Sequence, residues 1–211
     1  MPSMDAPSDI YAKLELHNRT TAAVPRESAL ALHDFIKTHD LSRTLEIGFA
    51  MGASAALIMA ATNSRHVAID PGATNYWNGH GIKNIEKLGF GERLELIEQR
   101  SHDALPQLVR EGRKFDFIFI DGDHKYDTVF VDWVLCDQLL EKNGCVVLDD
   151  IWMPAVQHVV SFIHTNRRDY AQLPPLVGRM ATFQKIGEDA RKWDHFAHFC
   201  VPSRQAPTST P

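Results

Sequence analysis

The chain has 211 residues, a length that favours one domain able to bury a sizeable core. Its 22 Lys and Arg and 27 Asp and Glu give a formal charge of 22 − 27 = −5. Such a chain is a poor nucleic-acid binder, because affinity for the phosphate backbone depends on Lys and Arg. Three cysteines without metal-type spacing exclude a disulfide scaffold and favour a reducing cytoplasm.

The two ends of the chain contain no predicted targeting segment. The first ten residues lack the basic and apolar regions of a signal peptide. The longest apolar stretch, residues 53–61, is far shorter than the roughly 20 residues that cross a bilayer, so we expect no membrane partner. Residues 202–211 are rich in Pro, Ser and Thr and are predicted to be a disordered tail. Residues 26–201 are then the single folded domain.

Short apolar runs alternate with helical stretches through most of this domain. The runs that predict strands are 43–48, 66–70, 93–98, 115–121 and 145–150. The stretches that predict helices are 26–39, 51–62, 80–88, 102–111, 126–142 and 154–166. Apolar runs of this length, separated by helices, are typical of buried parallel strands joined by crossovers.

The alternation changes after the fifth predicted strand. Residues 180–186 and 195–201 are predicted to be two further strands, and the short link between them favours an antiparallel hairpin. The predicted fold is therefore α/β: a doubly wound, mostly parallel, seven-stranded sheet with an antiparallel C-terminal hairpin. Ligands of such sheets bind beyond the carboxyl ends of the strands.

A glycine turn follows the first predicted strand. Gly48 and Gly52 allow the backbone to turn tightly and to approach a ligand, just before a helix with free N–H groups. Their G-x-x-x-G spacing differs from the G-x-G-x-x-G of dinucleotide binders, which makes a nicotinamide enzyme a remote alternative. The second strand ends in Asp70, where nucleotide-binding sheets place an acid on the ribose diol. The competing interpretation of Asp70 is a cap for the following Pro-Gly turn.

Acidic residues follow the fourth and fifth predicted strands. They are Asp121 and Asp123, next to His124, and the pair Asp149 and Asp150. Two unit charges 4 Å apart repel by about 4 kcal/mol at an effective dielectric of 20, so such a cluster holds protons or a cation. Oxygen ligands favour Mg²⁺, with Ca²⁺ or Mn²⁺ as alternatives. The competing interpretation is that these side chains are solvated strand-end caps.

Four segments resemble the class I S-adenosylmethionine-dependent methyltransferases, in the same order and at similar intervals. They are residues 45–58, 68–72, 115–126 and 144–150. The resemblance implies a Rossmann-like methyltransferase fold in which Glu46, Gly48 and Gly52 line the methionine half of the cofactor. It also implies that Asp70 holds the ribose, that Asp121 lies against the cofactor, and that Ser101 occupies the position where catechol-type O-methyltransferases contact adenine.

The same resemblance extends to the acidic cluster. Metal-dependent O-methyltransferases carry an Asp after strand four and an acidic or Asp-Asn pair after strand five. This implies that Asp121, Asp149 and Asp150 bind Mg²⁺ or another divalent cation. The Asp-Gly-Asp-His form is similar to that of bacterial enzymes that modify sugar or polyketide hydroxyls. Asp123 is the preferred base, with His124 as the alternative, because His124 is found where catechol-type enzymes have a catalytic lysine.

The implied activity is metal-assisted transfer of a methyl group from S-adenosylmethionine to a hydroxyl of a small molecule. A metal-independent methyltransferase of the same fold and a non-catalytic S-adenosylmethionine-binding module are the alternatives. Residues 1–25 could cap the acceptor pocket in this interpretation. The N-terminal helix and the closing hairpin could form a homodimer surface.

Overall fold

A computed structural model describes residues 6–16 and 23–201. The predicted tail, residues 202–211, lies outside the described residues, and so do residues 1–5 and 17–22 of the N-terminal segment. The helices are α1 (Pro7–Ala12), α2 (Arg26–Thr38), α3 (Ala53–Ala61), α4 (His80–Lys87), α5 (Ser101–Arg110), α6 (Tyr126–Leu139) and α7 (Pro154–Asn166). None of the helices in the described ranges has the length and apolar character that a membrane span requires.

The strands form one seven-stranded sheet in the order β3-β2-β1-β4-β5-β7-β6. They are β1 (Thr44–Ile47), β2 (His66–Ile69), β3 (Leu94–Ile97), β4 (Phe115–Ile120), β5 (Leu140–Leu148), β6 (Tyr170–Leu173) and β7 (Ala181–Lys185). β1 to β5 pair in parallel, whereas β7 is antiparallel to both β5 and β6. The predicted doubly wound, mostly parallel sheet is confirmed.

Helices cover both faces of this sheet, which is why its central strands are apolar on both sides. Leu45 and Ile47 of β1 belong to the core that includes side chains of α5, α6 and α7. The opposite face packs against α2 and α3. All nine residues of α3 are buried, as expected for a helix that is apolar around its whole circumference.

The C-terminal hairpin is built from different residues than predicted. β7 is one of the two predicted strands, but its partner is β6, which precedes it, and not residues 195–201. That last segment packs across α7 instead: the side-chain amide of Asn166 donates to the carbonyl of Ala197 and accepts from its N–H, at 3.0 and 2.7 Å. Because these peptide groups are already satisfied by a side chain, the segment does not need a sheet ladder. β5 also begins at Leu140, inside the stretch predicted as helix.

The carboxyl ends of the parallel strands form one edge, which we call the carboxyl edge. The first residue after each of four strands donates its amide to the last carbonyl oxygen of a neighbouring strand, with N···O distances of 2.9 to 3.1 Å. These residues are Gly48, Asp70, Asp121 and Asp149. The sheet ladder thus continues one residue beyond the strands and holds these four positions in register.

Candidate active site

A cavity of about 750 Å³ opens along the carboxyl edge, within the size range of small-molecule sites. Most of the predicted site residues line it: Gly48, Asp70, Ser101, Asp121, Asp123, His124 and Asp150. Three do not, namely Glu46, Gly52 and Asp149. Ala23 and Val24 of the N-terminal segment also line the cavity.

Gly48 lets the ends of β1 and β4 touch. Its φ is +94°, and a Cβ atom at this position would lie 1.9 Å from the carbonyl oxygen of Asp121. Only glycine combines that backbone conformation with so close an approach. Gly52, at φ +71°, precedes α3 and faces the backbone of Gly81 instead of the cavity. Its role in this structure is to start a buried helix.

Asp70 organises the loops that follow β1 and β2. Its Oδ2 accepts the backbone amides of Phe49 and Ala50 at 3.1 and 2.7 Å, and its Oδ1 accepts the amide of Gly72 at 2.7 Å. The last bond is the turn cap that the sequence offered as the competing interpretation. This cap does not exclude the predicted contact with a ribose, because Asp70 also lines the cavity and its Oδ1 can accept a second hydrogen bond.

Glu46 lies away from the cavity, contrary to the expectation. Side chains alternate along β1, so Glu46 points to the sheet face opposite Leu45 and Ile47, where its side chain is fully buried. Its Oε1 lies 3.4 Å from Nε2 of His66 on β2, and neither carboxylate oxygen has a hydrogen-bond partner among the described residues. Its neighbour in the structure is a buried histidine on the next strand.

The carboxyl edge brings Asp121, His124 and Asp150 together. Nε2 of His124 lies 2.8 Å from Oδ2 of Asp150 and 3.6 Å from Oδ1 of Asp121. One possible ligand atom from each residue lies within 4.8 Å of those of the other two. Although the atoms are close, Nε2 makes no hydrogen bond of ordinary geometry within the described residues. The imidazole nitrogen and the carboxylates therefore converge on a shared space.

Asp149, which does not line the cavity, pairs with Arg179, a residue that the sequence analysis did not identify. Nε of Arg179 donates to Oδ1 of Asp149 at 2.8 Å, and its NH2 group donates to Oδ1 of Asp150. The backbone carbonyl of Arg179 also accepts the amide of Ile151 at 3.0 Å. Arg179 lies in the connection between β6 and β7, and no local sequence pattern links it to residues 30 positions away.

Burial and neighbouring charges together set the pKa values at this edge. Burial raises the pKa of Asp121 to about 7, against the contact with His124, which lowers it. Asp121 and then Asp150 raise the pKa of His124 to about 10. Burial raises the pKa of Asp149, whereas for Asp150 the contacts with His124 and Arg179 outweigh burial and lower the pKa. Two cationic side chains, His124 and Arg179, thus already lie beside the three carboxyl groups at this edge.

Asp123 lies apart from that group, on the exposed side of the loop. Nζ of Lys125 donates to its Oδ2 at 3.0 Å, and Oγ1 of Thr128 donates to the same oxygen at 3.3 Å. The lysine contact, followed by the threonine bond, lowers the pKa of this carboxyl group, which is about half exposed. Oδ1 of Asp123 is not used by either bond.

Two residues at the carboxyl edge have positive φ angles without being glycine. They are Ala50, at +42°, and Asp150, at +53°. Such conformations cost on the order of 1–3 kcal/mol each and persist only where surrounding contacts enforce them. Here Asp70 holds the amide of Ala50, and Arg179 and His124 hold the carboxylate of Asp150. Two backbone conformations that favour glycine are therefore held in place at the wall of the cavity.

A comparison with protein families matches residues 45–151, just over half of the chain, to a model described as a methyltransferase domain. Among curated relatives, an uncharacterized protein of Acanthamoeba polyphaga mimivirus is 31% identical over 135 residues, 58% of this chain and 61% of that protein. Caffeoyl-CoA O-methyltransferase 1 of Eucalyptus globulus is 29% identical over 119 residues, 54% of this chain and 46% of the enzyme. The chain thus spans less than two thirds of either relative.

Solved structures share the fold. The O-methyltransferase TomG from Streptomyces achromogenes, involved in tomaymycin synthesis and solved in complex with S-adenosylmethionine, superposes with a TM-score of 0.71. The alignment covers 88% of this chain and 93% of TomG at 20% identity. At that identity the likeness establishes the architecture alone.

Proposed function

We propose, from the premise that this chain belongs to the methyltransferase domain family, that it transfers a methyl group from S-adenosylmethionine to a hydroxyl of a small molecule. The observation that carries the proposal is the cavity at the carboxyl edge, which holds Asp70 at one end and the group of Asp121, His124 and Asp150 at the other. The names of the Eucalyptus relative and of TomG support an oxygen acceptor.

Different residues of the cavity are assigned to bind the cofactor and to accept the proton. Asp70 lies after β2, where a carboxylate can accept hydrogen bonds from a ribose diol, and the loop at Gly48 brings backbone close to the ligand. The sulfonium of S-adenosylmethionine already activates the methyl group. The acceptor hydroxyl is not activated, and it must lose its proton during the transfer. Oδ1 of Asp123 is the atom we assign to receive that proton, since Oδ2 is occupied by Lys125 and Thr128.

A divalent cation is the second part of the proposal. The fit rests on Nε2 of His124 and Oδ2 of Asp150, which lie 2.8 Å apart without an aligned hydrogen bond, as donor atoms that share one ion do. Asp121, His124 and Asp150 would hold the ion, because one ligand atom of each lies within 4.8 Å of the others. Asp149 does not belong to that group of ligand atoms and would not bind the ion. A bound cation there would lower the pKa of an acceptor hydroxyl. Two carboxylates and an imidazole favour Mn²⁺ over the Mg²⁺ inferred from oxygen ligands alone.

Arg179 also supports the alternative, a metal-independent methyltransferase. Its guanidinium group bonds to both Asp149 and Asp150, and His124 lies between Asp150 and Asp121. These two cationic side chains would neutralise most of the carboxylate charge without an ion. Mn²⁺ titration decides between the two arrangements.

The test is calorimetric titration with Mn²⁺ and with S-adenosylhomocysteine, using Asp150→Asn and Asp149→Asn as a matched pair. We expect the wild-type protein to bind both ligands. Asp150→Asn should abolish Mn²⁺ binding, and Asp149→Asn should keep it within about threefold, since Asp150 belongs to the proposed ligand group and Asp149 does not. Equal losses in the two variants would restore Asp149 as a ligand, and absence of Mn²⁺ binding to the wild type would favour the metal-independent enzyme.

Catalysis itself is tested by incubation with S-adenosylmethionine and a panel of catechol, sugar and polyketide hydroxyl acceptors. Formation of S-adenosylhomocysteine and of a methyl ether that depends on the acceptor is expected. If the protein binds S-adenosylhomocysteine but methylates no acceptor, the non-catalytic binding module is the better description.

A further inference from the structure

Asn84 is a buried residue of α4 that the proposed reaction does not use. It is 2% exposed, and its side-chain amide bonds to backbone groups that are far away in the chain. Oδ1 accepts the amide of Glu15 at 2.8 Å, while Nδ2 donates to the carbonyl oxygens of Glu15 at 3.3 Å and of Met51 at 3.0 Å. One planar group therefore joins the N-terminal segment to the loop after β1.

The loop that Asn84 reaches is part of the cavity wall. This loop, residues 48–52, is the glycine turn, and its Gly48 and Ala50 line the cavity. α4 lies directly against the turn, since a Cβ atom at Gly81 would lie 2.5 Å from the carbonyl oxygen of Ala50. Nδ2 of Asn84 binds the carbonyl of the next residue, Met51. A change in the direction of that peptide group therefore moves the acceptor that Asn84 binds.

The N-terminal segment contributes another part of the wall. Ala23 and Val24 line the cavity, and the hydroxyl of Tyr11 in α1 donates to the carbonyl of Val24 at 2.8 Å. Ala23 also belongs to a small apolar cluster with Met51, against which Tyr11 packs. The two bonds between Asn84 and the backbone of Glu15 attach this segment to α4.

We propose that Asn84 is a positioning residue that couples the glycine turn to the N-terminal segment, so that cofactor binding completes the segment's part of the cavity wall. The inference rests on the proposed function, since it takes the cofactor to bind beside the turn. A ligand in contact with the turn restricts its peptide groups. The carbonyl of Met51 then holds Asn84 in the orientation that binds Glu15. Coupling between two sites is carried by continuous contacts, which one side chain supplies here.

An amide group suits this role because its donors and its acceptor have fixed directions. The apolar contacts between Met51 and Ala23 contribute attraction that is non-directional. An asparagine side chain offers two N–H donors and a carbonyl oxygen, so the bond to Met51 sets where the oxygen points. Coupling is reciprocal, so an ordered N-terminal segment raises the affinity for the cofactor in turn. The consequence is ordered binding, in which the acceptor enters after the cofactor.

The experiment measures hydrogen exchange of single backbone amides by NMR, with and without saturating S-adenosylhomocysteine. The amide of Glu15 reports on the N-terminal segment, because Asn84 is its acceptor. In the wild type, the ligand should slow its exchange by about fivefold or more. The amide of Ser42 is the control, since it also donates to a single side chain, that of Asp116, but outside the cavity. Its exchange should slow by less than about twofold.

Two variants of Asn84 and one of Lys87 separate coupling from simple attachment. Asn84→Ala removes all three bonds, and Asn84→Asp keeps an acceptor for Glu15 without a donor for Met51. In both variants the bound ligand should change the exchange of the Glu15 amide by less than about twofold. Lys87→Met removes only the exposed ion pair between Lys87 and Glu15, 2.7 Å long, and should keep the wild-type effect. A merely structural Asn84 would leave the effect of the ligand unchanged in every variant.

Several results would overturn the inference and leave the proposed function intact. If the ligand binds the wild type without slowing the Glu15 amide, the turn and the segment are not coupled, whether or not the variants fold. If the Asn84 variants keep the wild-type effect, the apolar contacts of Met51 carry the coupling instead. Equal slowing of the Ser42 amide would assign the effect to general stabilisation. Failure of the wild type to bind S-adenosylhomocysteine in calorimetry would instead refute the proposed function.

Discussion

The amide of Ala50 donates a 2.7 Å hydrogen bond to Oδ2 of Asp70, which ties the loop after β1 to the end of β2. Ala50 has a φ of +42°, so this bond helps to hold a conformation that alanine rarely adopts. The same carboxylate caps the turn at Gly72 through its other oxygen. One side chain therefore shapes two loops and also lines the cavity.

Replacement of Asp70 tests this double role. Asp70→Ala should weaken S-adenosylhomocysteine binding by about 1–3 kcal/mol, because bonds to the ligand and to the loop are both lost. Calorimetry measures the change. The control is Asp116→Ala: this carboxylate accepts the amides of Ser42 and Arg43, near the start of β1 and β4. Equal losses of affinity in the two variants would assign the effect of Asp70 to general destabilisation.

Gly48 and Gly89 form a second matched pair, in which the backbone angle is similar and the space differs. Both have positive φ angles, +94° and +75°, but only Gly48 has backbone within reach of an added Cβ atom. Gly89→Ala should cost about 1–2 kcal/mol from the left-handed conformation alone. Gly48→Ala should cost several kcal/mol more, since β1 and β4 must separate. Urea denaturation measures both, and similar costs would argue against the close approach at Asp121.

The pH dependence of stability should depend on Asp137. Its carboxylate receives Oη of Tyr170 at 2.7 Å, NH2 of Arg167 at 2.8 Å and Nζ of Lys185 at 3.1 Å. Burial alone would raise the pKa of Asp137, but these contacts outweigh it and lower the pKa. A lowered folded-state pKa contributes stability above the unfolded value of about 3.9, and that stability is lost as the pH falls through the folded-state pKa.

Asp137→Asn should therefore destabilise the protein by about 3 kcal/mol at pH 7, because the buried Arg167 loses a partner. The difference from the wild type should shrink as the pH falls below about 4. Unfolding free energies from urea titrations at several pH values measure it. Asp34→Asn, at a largely exposed position, should change stability by less than about 1 kcal/mol. A difference that stays constant down to pH 2 would contradict the charge-based explanation.

The assignment of Asp123 as proton acceptor is a kinetic prediction. Asp123→Asn should lower kcat by about 100-fold or more, while the affinities for S-adenosylhomocysteine and Mn²⁺ stay near those of the wild type. Lys125→Met, which removes the partner of Asp123 but keeps the carboxylate, should have a much smaller effect. If Asp123→Asn instead abolishes Mn²⁺ binding and leaves turnover of the loaded enzyme intact, Asp123 is a ligand.

The residues that reach the carboxyl edge were predictable from the sequence. An apolar run that ends in Gly or Asp marks the end of a parallel strand. In a parallel sheet these ends lie along the same edge, however the helices pack. Gly48, Asp70, Asp121 and Asp150 therefore lie beside one cavity, as expected. For the same reason, five of the seven strands and the parallel order of the sheet followed from the alternation of apolar runs and helices.

The orientation of side chains at that edge was not predictable, because it depends on partners distant in the chain. Asp149 and Asp150 both bind Arg179, which reaches them from the β6–β7 connection. Residues 195–201 pair with Asn166 of α7 and so leave the sheet edge to β6. The order of apolar runs and helices in the chain is thus enough to identify the residues that reach this edge. Only the folded chain decides which charged partners those residues meet, because Arg179 is 30 and 29 positions away from the two carboxylates that it binds.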